Sequence, residues 1–373
     1  MNNFRVSTPS RLCLFGEHLD YLSLEVIAVA INLRFSAEVR KRDDSLIKIR
    51  IRDSKIDTLG EKNDEGLYDE YEIDLSKPIE YENNRDYLKS SVNVLLKNGY
   101  KLSGLDIKMD SEIPIGKGMC SSSTMIIVLI KALLQSIDSP DADDPKKIAY
   151  LGFCAEVAEF NEPGGMMDHY TSALGGLVNL GFYTDDTTVR TFEAKLPGKF
   201  ILFDSLDQKD TTRVLANAKT PALEAIKELE PFGITCVQDF LEEKNMQYTA
   251  KLDEEHRRVL EADIDNYKIL LEAKKMFEEN NIDNKKIGEL ISRHHANLRD
   301  GLKISTDKIE LILETAKKNG AYGGKINGSG GGGCCYVYAD DKDCGKIIEA
   351  VNALGFPAQI MQQDSGVRFD GEI

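Results

Sequence analysis

The feature that most constrains this chain is a segment rich in glycine and serine that runs directly into an apolar stretch. Residues 114–124 read PIGKGMCSSST, and the apolar residues that follow predict a helix beginning near Thr124. Glycines let a backbone approach an anion closely, and the N–H groups at a helix N-terminus attract phosphate. The serines would add hydroxyl donors or Mg²⁺ ligands. A turn with serine N-caps would show the same pattern, so the loop alone leaves both interpretations open.

This segment differs from the phosphate loop of P-loop NTPases. The pattern GxxxxGK[ST] does not occur, and Lys117 lies inside the loop instead of before the serines. A second glycine run, NGSGGGG at residues 327–333, matches GxGxxG, but it precedes the predicted strand CCYVY and does not link a strand to a helix. A dinucleotide-binding fold is therefore disfavoured. Four consecutive glycines cost chain entropy, which indicates that a ligand or another backbone lies against them.

Residues 10–21, SRLCLFGEHLDY, concentrate polar side chains in a loop between apolar segments. Glu17, His18 and Asp20 offer donors and acceptors that suit the several hydroxyls of a sugar-like ligand. Each of them alone would more often be a surface loop residue or a helix cap. Their occurrence together between predicted strands favours a binding site.

Residues 155–170, AEVAEFNEPGGMMDHY, place Glu156 on a predicted helix and Asp168 beyond a double glycine. Phosphoryl transfer requires a carboxylate near the acceptor hydroxyl, a cation facing the developing charge and a carboxylate for Mg²⁺. Asp168, Arg11 and Glu156 are candidates for these three roles. The spacing is also compatible with a solvated helix residue at Glu156 and a cap at Asp168.

Composition predicts a globular chain of two domains. The length of 373 residues corresponds to about two domains of roughly 150 residues. A formal charge of −16 disfavours generic nucleic-acid binding. The seven cysteines show no CxxC spacing and are expected to be reduced thiols. With no signal-peptide pattern and no apolar run long enough to span a membrane, the sequence predicts a cytoplasmic location without a membrane partner.

Four motifs in this order resemble those of the GHMP kinase superfamily, and within it the chain is most similar to galactokinases. SRLCLFGEHLDY resembles the galactokinase pattern GRVNLIGEHTDY, and PIGKGMCSSS resembles the phosphate loop PxGxGLxSSS. AEVAEFNEPGGMMDHY resembles AEx…GIMDQF with the same separation of Glu and Asp, and KINGSGGGGC resembles the third motif. HHANLRDGLKIST, residues 294–306, resembles the segment that precedes that motif. The similarity spans nearly the whole chain.

The resemblance implies an α+β fold of two domains with the active site in the cleft between them. Residues 1–190 would form the N-terminal domain, which carries the phosphate loop, and residues 191–373 the C-terminal domain. The implied activity is transfer of the γ-phosphoryl group of ATP to a hydroxyl of a small molecule. ATP is then the co-substrate and Mg²⁺ the cofactor.

The resemblance also implies a role for each matched position. Asp168 would be the catalytic carboxylate, and Arg11 would stabilise the reacting oxygen and the transferred phosphoryl group. Glu17, His18 and Asp20 would bind sugar hydroxyls. Ser121 or Ser122, together with Glu156, would hold Mg²⁺. The residues that would surround the phosphates are Gly116, Lys117, Gly118, Met119, Cys120, Ser121, Ser122 and Ser123.

Several departures from galactokinases bear on the acceptor. Tyr21 is followed by LSLEV instead of a glycine-rich stretch, and His169 stands in place of a glutamine. Lys117 and Cys120 stand where galactokinases usually carry serine, and DTTRVLANAK, residues 210–219, lacks their tyrosine. We therefore predict a sugar kinase acting on an anomeric hydroxyl, with galactose as the leading candidate. The alternatives are another sugar 1-kinase, a mevalonate-type kinase, or a sensor that binds sugar and ATP without turnover.

Overall fold

The computed structural model describes residues 3–52, 68–114, 116–162, 165–183, 186–209, 214 and 216–373, and its strands form two sheets. The strands of these residues are β1 (Asn3–Phe15), β2 (Glu25–Lys41), β3 (Leu46–Arg52), β4 (Tyr68–Asp74), β5 (Leu105–Ser111), β6 (Leu177–Tyr183), β7 (Asp186–Phe192), β8 (Lys199–Asp204), β9 (Gly323–Ile326), β10 (Cys334–Ala339), β11 (Ala358–Met361) and β12 (Arg368–Glu372). The α-helices are α1 (Tyr87–Lys97), α2 (Ser121–Ser136), α3 (Pro145–Phe153), α4 (Met167–Leu174), α5 (Lys219–Leu229), α6 (Glu254–Glu278), α7 (Asn284–Ala296), α8 (Asp307–Lys318) and α9 (Asp341–Asn352).

The first sheet has the strand order β12-β1-β2-β5-β3-β4, and β6 and β7 extend it from β2. Strand β2 is long enough to serve two neighbours, because residues 35–41 pair with β5 while residues 25–29 pair with β6. Strand β1 is buried along most of its length, since residues 6–15 are all buried, including Arg11. Arg11 therefore projects from the middle of a rigid, buried strand.

Helix α2 is the central helix packed on this first sheet. It is apolar around nearly its whole circumference and contacts β1 and β2 as well as α1, α3 and α4. It begins at Ser121, three residues earlier than predicted, because Cys120 adopts a left-handed φ of 50° and turns the chain into the helix. The serines thus form the first helical turn, and the glycine loop ends at the helix N-terminus.

The second sheet has the order β11-β8-β10-β9 and packs against α8 and α9. Helix α6 lies against β1 and β2 of the first sheet, and α7 contacts both sheets, since it lies against β1 and against β9 and β10. The glycine run at residues 327–333 connects β9 to β10. It therefore lies at the edge of the second sheet that faces the glycine loop before α2.

The α+β class and most predicted elements are confirmed. The helices expected at residues 85–98 and within 220–318 are present, as are the strands at LDIKM, VNLGFY and KFILFDS. The helix expected through residue 160 changes after Phe153 into a π-helical turn, Cys154–Ala158. The division at residue 190 stays a prediction, and β12 from the end of the chain pairs with β1 in the first sheet. Among the described residues, no helix combines the length and apolar character that a membrane span requires.

Gly16 offers a test of how closely the chain at this position approaches β2 and α6. Its φ is +91°, and a Cβ there would collide with the Glu25 carbonyl oxygen and with Leu270 of α6. We expect Gly16→Ala to destabilise the protein by at least about 1 kcal/mol more than Gly99→Ala. Gly99 is a matched control, because its φ is +86° but a Cβ there would meet open space. Urea unfolding of both variants measures the difference, and equal losses would contradict the close approach.

Candidate active site

Arg11 and Asp168 form a buried ion pair that joins β1 to the first turn of α4. The Arg11 Nε and Nη2 atoms donate to the two carboxylate oxygens of Asp168 at 2.8 and 3.0 Å. Nη1 donates to the carbonyl oxygen of Gly118 at 2.9 Å. Burial alone would lower the pKa of Arg11, but the charge of Asp168, its hydrogen bond and the nearby acidic groups Cys120 and Glu17 together outweigh burial and raise it, so the guanidinium stays cationic. The Asp168 side chain remains 26% exposed and can therefore meet a ligand.

The two glycine-rich segments lie against each other. The Asn327 side chain donates to the Gly118 carbonyl oxygen at 3.0 Å, and the Cys334 N–H donates to the Lys117 carbonyl oxygen at 3.0 Å. A Cβ on Gly118 would collide with the Asn327 carbonyl, and a Cβ on Gly333 would collide with Lys117. The sequence predicts a ligand or another backbone against the C-terminal glycine run, and the structure shows another backbone there. These contacts leave no space for a side chain on Gly118 or on Gly333.

Glu156 lies in the π-helical turn after α3 and is hydrogen-bonded on both oxygens. Ser122 and Ser123 donate their hydroxyls to it at 2.6 and 2.7 Å, and Nε2 of His169 lies 2.7 Å from its second oxygen. Burial alone would raise the pKa of Glu156, but the hydrogen bond from His169 and those from the serines outweigh it and lower the pKa. The carboxylate is therefore ionised. His169, which replaces a glutamine of galactokinases, connects the Asp168 helix to this carboxylate.

Glu17 and His18 are both engaged by the C-terminal glycine run. The carboxylate of Glu17 accepts from the fully buried Lys325 ammonium and from the N–H of Gly328. Nε2 of His18 lies 3.0 Å from the Ser329 carbonyl oxygen. Burial lowers the pKa of His18 to about 4, so the ring is neutral at pH 7 and Nε2 carries the donated proton. In this structure both residues fix the GEHLDY loop to the second sheet's glycine turn, and their contact with sugar hydroxyls stays a prediction.

Asp20 lies close to the segment that carries Asp168. A Cβ on Gly165 would stand 3.2 Å from its carboxylate oxygen, and Gly165 precedes Asp168 by three residues. Burial raises the pKa of Asp20, and the charge of Asp168 acts in the same direction. Of the three residues predicted to bind hydroxyls, Asp20 is half-buried and has no protein side-chain partner among the described residues.

Two lysines lie near the glycine loops, and only one of them was singled out from the sequence. Lys117 forms an ion pair of 3.1 Å with Asp204, which is fully buried at the end of β8. The other is Lys209, whose ammonium lies 3.2 Å from the Ser329 hydroxyl. A Cβ on Gly118 or Gly328 would collide with Lys209, so this side chain fills the space between the two loops.

Lys209 is a half-buried cation without a counter-charge in direct contact. Among the described parts of the chain, no carboxylate lies within ion-pair distance of it. Burial lowers the pKa of Lys209 to about 8, and the charge of Arg11 acts in the same direction. An anion placed between the loops would therefore be attracted to it.

The sequence motifs identify residues that are adjacent in the folded protein, but not the residues that connect them. Arg11, Gly118 and Asp168 meet, and so do Ser122, Ser123 and Glu156, across long sequence separations. The residues not identified were His169 as a partner of Glu156, Lys209, Lys325 and Asn327. Lys209 stands five residues after β8 in a polar segment that has no motif of its own. Pro163, Gly164 and the segment Asp210–Arg213 of DTTRVLANAK lie outside the described residues.

The oxygen atoms around Glu156 suit an Mg²⁺ ion that is bound together with a nucleotide. The described residues contain no group of three or more His, Cys, Asp or Glu side chains that could hold a metal by themselves. Mg²⁺ is commonly held by one or two carboxylates together with substrate phosphates and water, so a protein cage is not required. The ionised Glu156 and the Ser122 hydroxyl beside the loop fit that requirement.

Three family models match the chain. The GHMP kinases N terminal domain matches residues 86–176, and the GHMP kinases C terminal model matches residues 272–356. The galactokinase galactose-binding signature matches residues 2–41, which include Arg11 and the GEHLDY loop. The matches thus cover the glycine loop before α2, Asp168 and the C-terminal glycine run.

Curated relatives of two activities align with nearly the whole chain. A galactokinase of Pyrococcus furiosus is 26% identical over 93% of this chain and 92% of its own length. A mevalonate kinase of Pyrococcus abyssi is 27% identical over 94% of this chain and 92% of its own length. The two similarities are of equal strength, so they do not decide the acceptor.

Solved structures share the fold. Lactococcus lactis galactokinase complexed with galactose superposes with a TM-score of 0.79 at 21% identity, covering 98% of this chain and 95% of that one. Methanococcus jannaschii mevalonate kinase gives a TM-score of 0.73 at 20% identity, covering 97% and 98%. The expected two-domain GHMP kinase fold of mixed helices and sheets is therefore confirmed.

The environment of His18 predicts a pH dependence of stability. Its folded-state pKa of about 4 lies below the ordinary value of 6.5, so between these values only the unfolded chain takes up the proton. Stability is then present above pH 6.5 and is lost as the pH falls towards 4, by up to about 3 kcal/mol. Asparagine tolerates the φ of 71° at this position and retains a donor for Ser329. We expect His18→Asn to lose less free energy of unfolding between pH 7 and pH 4.5 than wild type. An equal loss of unfolding free energy in the two proteins between pH 7 and pH 4.5 would contradict this assignment.

Proposed function

We propose that this chain, which belongs to the GHMP kinase superfamily and is an ATP-dependent small-molecule kinase, transfers the γ-phosphoryl group of ATP to the anomeric hydroxyl of a monosaccharide. Galactose is the leading candidate acceptor. The observation that carries the sugar assignment is the match of residues 2–41 to the galactokinase galactose-binding signature. The proposal is supported by the side chains that this segment brings into the cleft, including Asp20 beside Asp168.

The Arg11–Asp168 pair suits the central step of phosphoryl transfer. Asp168 is partly exposed and would accept a hydrogen bond from the acceptor hydroxyl, which orients the oxygen and increases its negative character. Arg11 is held in place by both Asp168 oxygens and by the Gly118 carbonyl, so its charge is fixed beside the developing negative charge. The acceptor oxygen would form its bond to the γ-phosphorus as the bond to the β,γ-bridging oxygen breaks and ADP leaves.

The nucleotide would lie along the glycine loop that ends at α2. Backbone N–H groups of residues 116–123 and the N-terminus of α2 would face the phosphates. Lys209 would supply a positive charge between the loops, because no neighbouring carboxylate neutralises it within the described residues. Ser122 and Glu156 would hold Mg²⁺, which when bound neutralises phosphate charge.

A mevalonate-type acceptor is the second candidate, and the equal similarity to a mevalonate kinase favours it. The two candidates differ in charge, since mevalonate carries a carboxylate and a monosaccharide does not. Asp20 and Asp168 place two carboxylates near the expected acceptor, but Arg11 pairs with Asp168, and Lys209 and Lys219 lie nearby, so charge alone does not separate the two candidates. The match to the galactose-binding signature is the observation that favours the sugar.

An ADP-release assay with purified protein, ATP, Mg²⁺ and an acceptor panel tests the proposal. The panel contains galactose, other aldoses and mevalonate, and the products are analysed for a 1-phosphate. We expect sustained ADP formation with galactose or a close relative. Turnover with mevalonate alone would move the assignment to the second candidate. Nucleotide binding without turnover on any acceptor would favour a sensor and contradict the proposal.

Asp168→Asn tests the role of the carboxylate. We expect kcat to fall by about 10² to 10⁴, since the amide cannot accept a proton or carry the charge, while ATP binding stays within about twofold. Asp364→Asn is the matched control, because Asp364 also pairs with an arginine, the half-buried Arg34 of β2, at 2.6 Å and has no predicted role in the site. The control should lose stability and keep its turnover. A near-normal rate in Asp168→Asn would refute the assigned role.

Lys209→Met tests the phosphate contact that the sequence did not reveal. We expect kcat/KM for ATP to fall by about tenfold to about a hundredfold, the range of one charge-assisted hydrogen bond. The KM of the acceptor should change little, because Lys209 lies between the glycine loops. Lys318→Met, at an exposed position on α8, controls for the loss of a surface charge. An unchanged KM and kcat for ATP would show that Lys209 only fills space.

A further inference from the structure

Two buried polar groups near the GEHLDY loop take no part in the proposed phosphoryl transfer. Both carboxylate oxygens of Asp263 and the hydroxyl of Tyr21 are buried without any hydrogen-bond partner. Asp263 is fully buried on α6, in the middle of an apolar helix face. Buried polar groups in folded proteins nearly always have a partner, so an orphaned acid at this depth requires an explanation.

Helix α6 follows the GEHLDY loop along one face. Phe277 packs against Phe15 with ring centroids 6.3 Å apart, and Lys274 pairs with Glu25 at 2.6 Å. Leu270 lies against Gly16, two turns before Phe277. Asp263 lies two further turns along the same face, at the spacing of seven residues that returns a helix to one side.

Tyr21 is the last residue of the GEHLDY loop. Its ring lies edge-on to His18 with centroids 5.9 Å apart, and it directly follows Asp20. Burial raises the pKa of Tyr21, and the nearby carboxyl groups of Asp263 and Asp20 act in the same direction. The turn Asp20–Leu22 contacts α5, and α5 packs along α6, which places Asp263 and the predicted acceptor residues in one neighbourhood. Lys219 on α5 also borders it, with its ammonium 5.6 Å from the Tyr21 ring centroid.

Burial raises the pKa of Asp263 well above its ordinary value, so the side chain is a neutral carboxylic acid at pH 7. A neutral acid donates one hydrogen bond and accepts others, and a tyrosine hydroxyl does the same. This set is complementary to an alcohol hydroxyl. It is poorly matched to an anionic group beside Asp20 and Asp168.

We infer that Asp263 and Tyr21 are specificity-determining residues that bind a non-reacting hydroxyl of the acceptor. The inference rests on the proposed sugar-kinase function and extends it, because it assigns the recognition of a second hydroxyl to α6. The unpaired acid lowers the stability of the free protein, and the acceptor supplies its missing partner. Such a site rejects analogues that lack the hydroxyl, since the protein groups are then left unpaired.

The test combines two single variants with a series of monodeoxy sugars. The acceptor is the sugar with the highest kcat/KM in the panel, and each monodeoxy analogue of it is assayed with wild type, Tyr21→Phe and Asp263→Leu. In wild type, removal of one particular non-anomeric hydroxyl should lower kcat/KM by about tenfold or more. In both variants the penalty for that same analogue should largely disappear, while the KM of ATP is unchanged. Asp263→Asn keeps a neutral donor and acceptor and should behave close to wild type.

A stability measurement separates this inference from a structural role and works without any acceptor. If the Asp263 carboxyl group finds its hydrogen-bond partner only in the bound acceptor, Asp263→Leu should raise the thermal midpoint of the free protein. Tyr100→Phe, which removes a hydroxyl bonded to Asp141 far from this site, should lower it. A lowered midpoint in Asp263→Leu with unchanged deoxy-sugar penalties would show that ordered water satisfies the acid and would overturn the inference. Absence of turnover on every sugar in wild type would refute the proposed function, whereas normal wild-type turnover with unaltered penalties would refute only this assignment.

Discussion

The charge of Arg11 is the constraint on which the rest of the site depends. A guanidinium that is 4% exposed must be paired and fully hydrogen-bonded, because an isolated buried charge is far too costly. Asp168 provides the paired charge and Gly118 provides a further acceptor. One side chain on β1 therefore fixes the position of α4 and of the glycine loop relative to each other. This arrangement prepares the site before any ligand arrives, so little reorganisation is needed during the reaction.

A second set of contacts connects the loops of the first sheet to the glycine run of the second sheet. Glu17 accepts from Lys325 and from the backbone of Gly328, and Asn327 donates to Gly118. The glycines of both loops are needed because the backbones approach too closely for side chains. The residues that hold the loops together are thus adjacent to those expected to bind substrates, and a change in either sheet would alter the cleft.

Much of this could be predicted from the sequence, for identifiable reasons. Glycine and serine before an apolar helix predict an anion site directly, and the positions of Arg11, Glu156 and Asp168 follow from motifs that keep their spacing. Lys209 and Asp263 could not be predicted, because neither stands in a local pattern. The role of Lys209 depends on two loops that are distant in sequence. The role of Asp263 depends on its burial on a helix face whose sequence is typical of an ordinary core. The engagement of His18 with Ser329 likewise depends on the docking of the second sheet.

The most direct measurement of the central claim is a crystal structure of the protein with galactose and a non-hydrolysable ATP analogue. We predict that the triphosphate lies along residues 116–123, with its γ-phosphate beside Arg11 and Lys209. The anomeric oxygen should lie within hydrogen-bond reach of Asp168, about 2.6 to 3.2 Å. A nucleotide bound away from this loop, or an Asp168 side chain turned away from both ligands, would contradict this prediction.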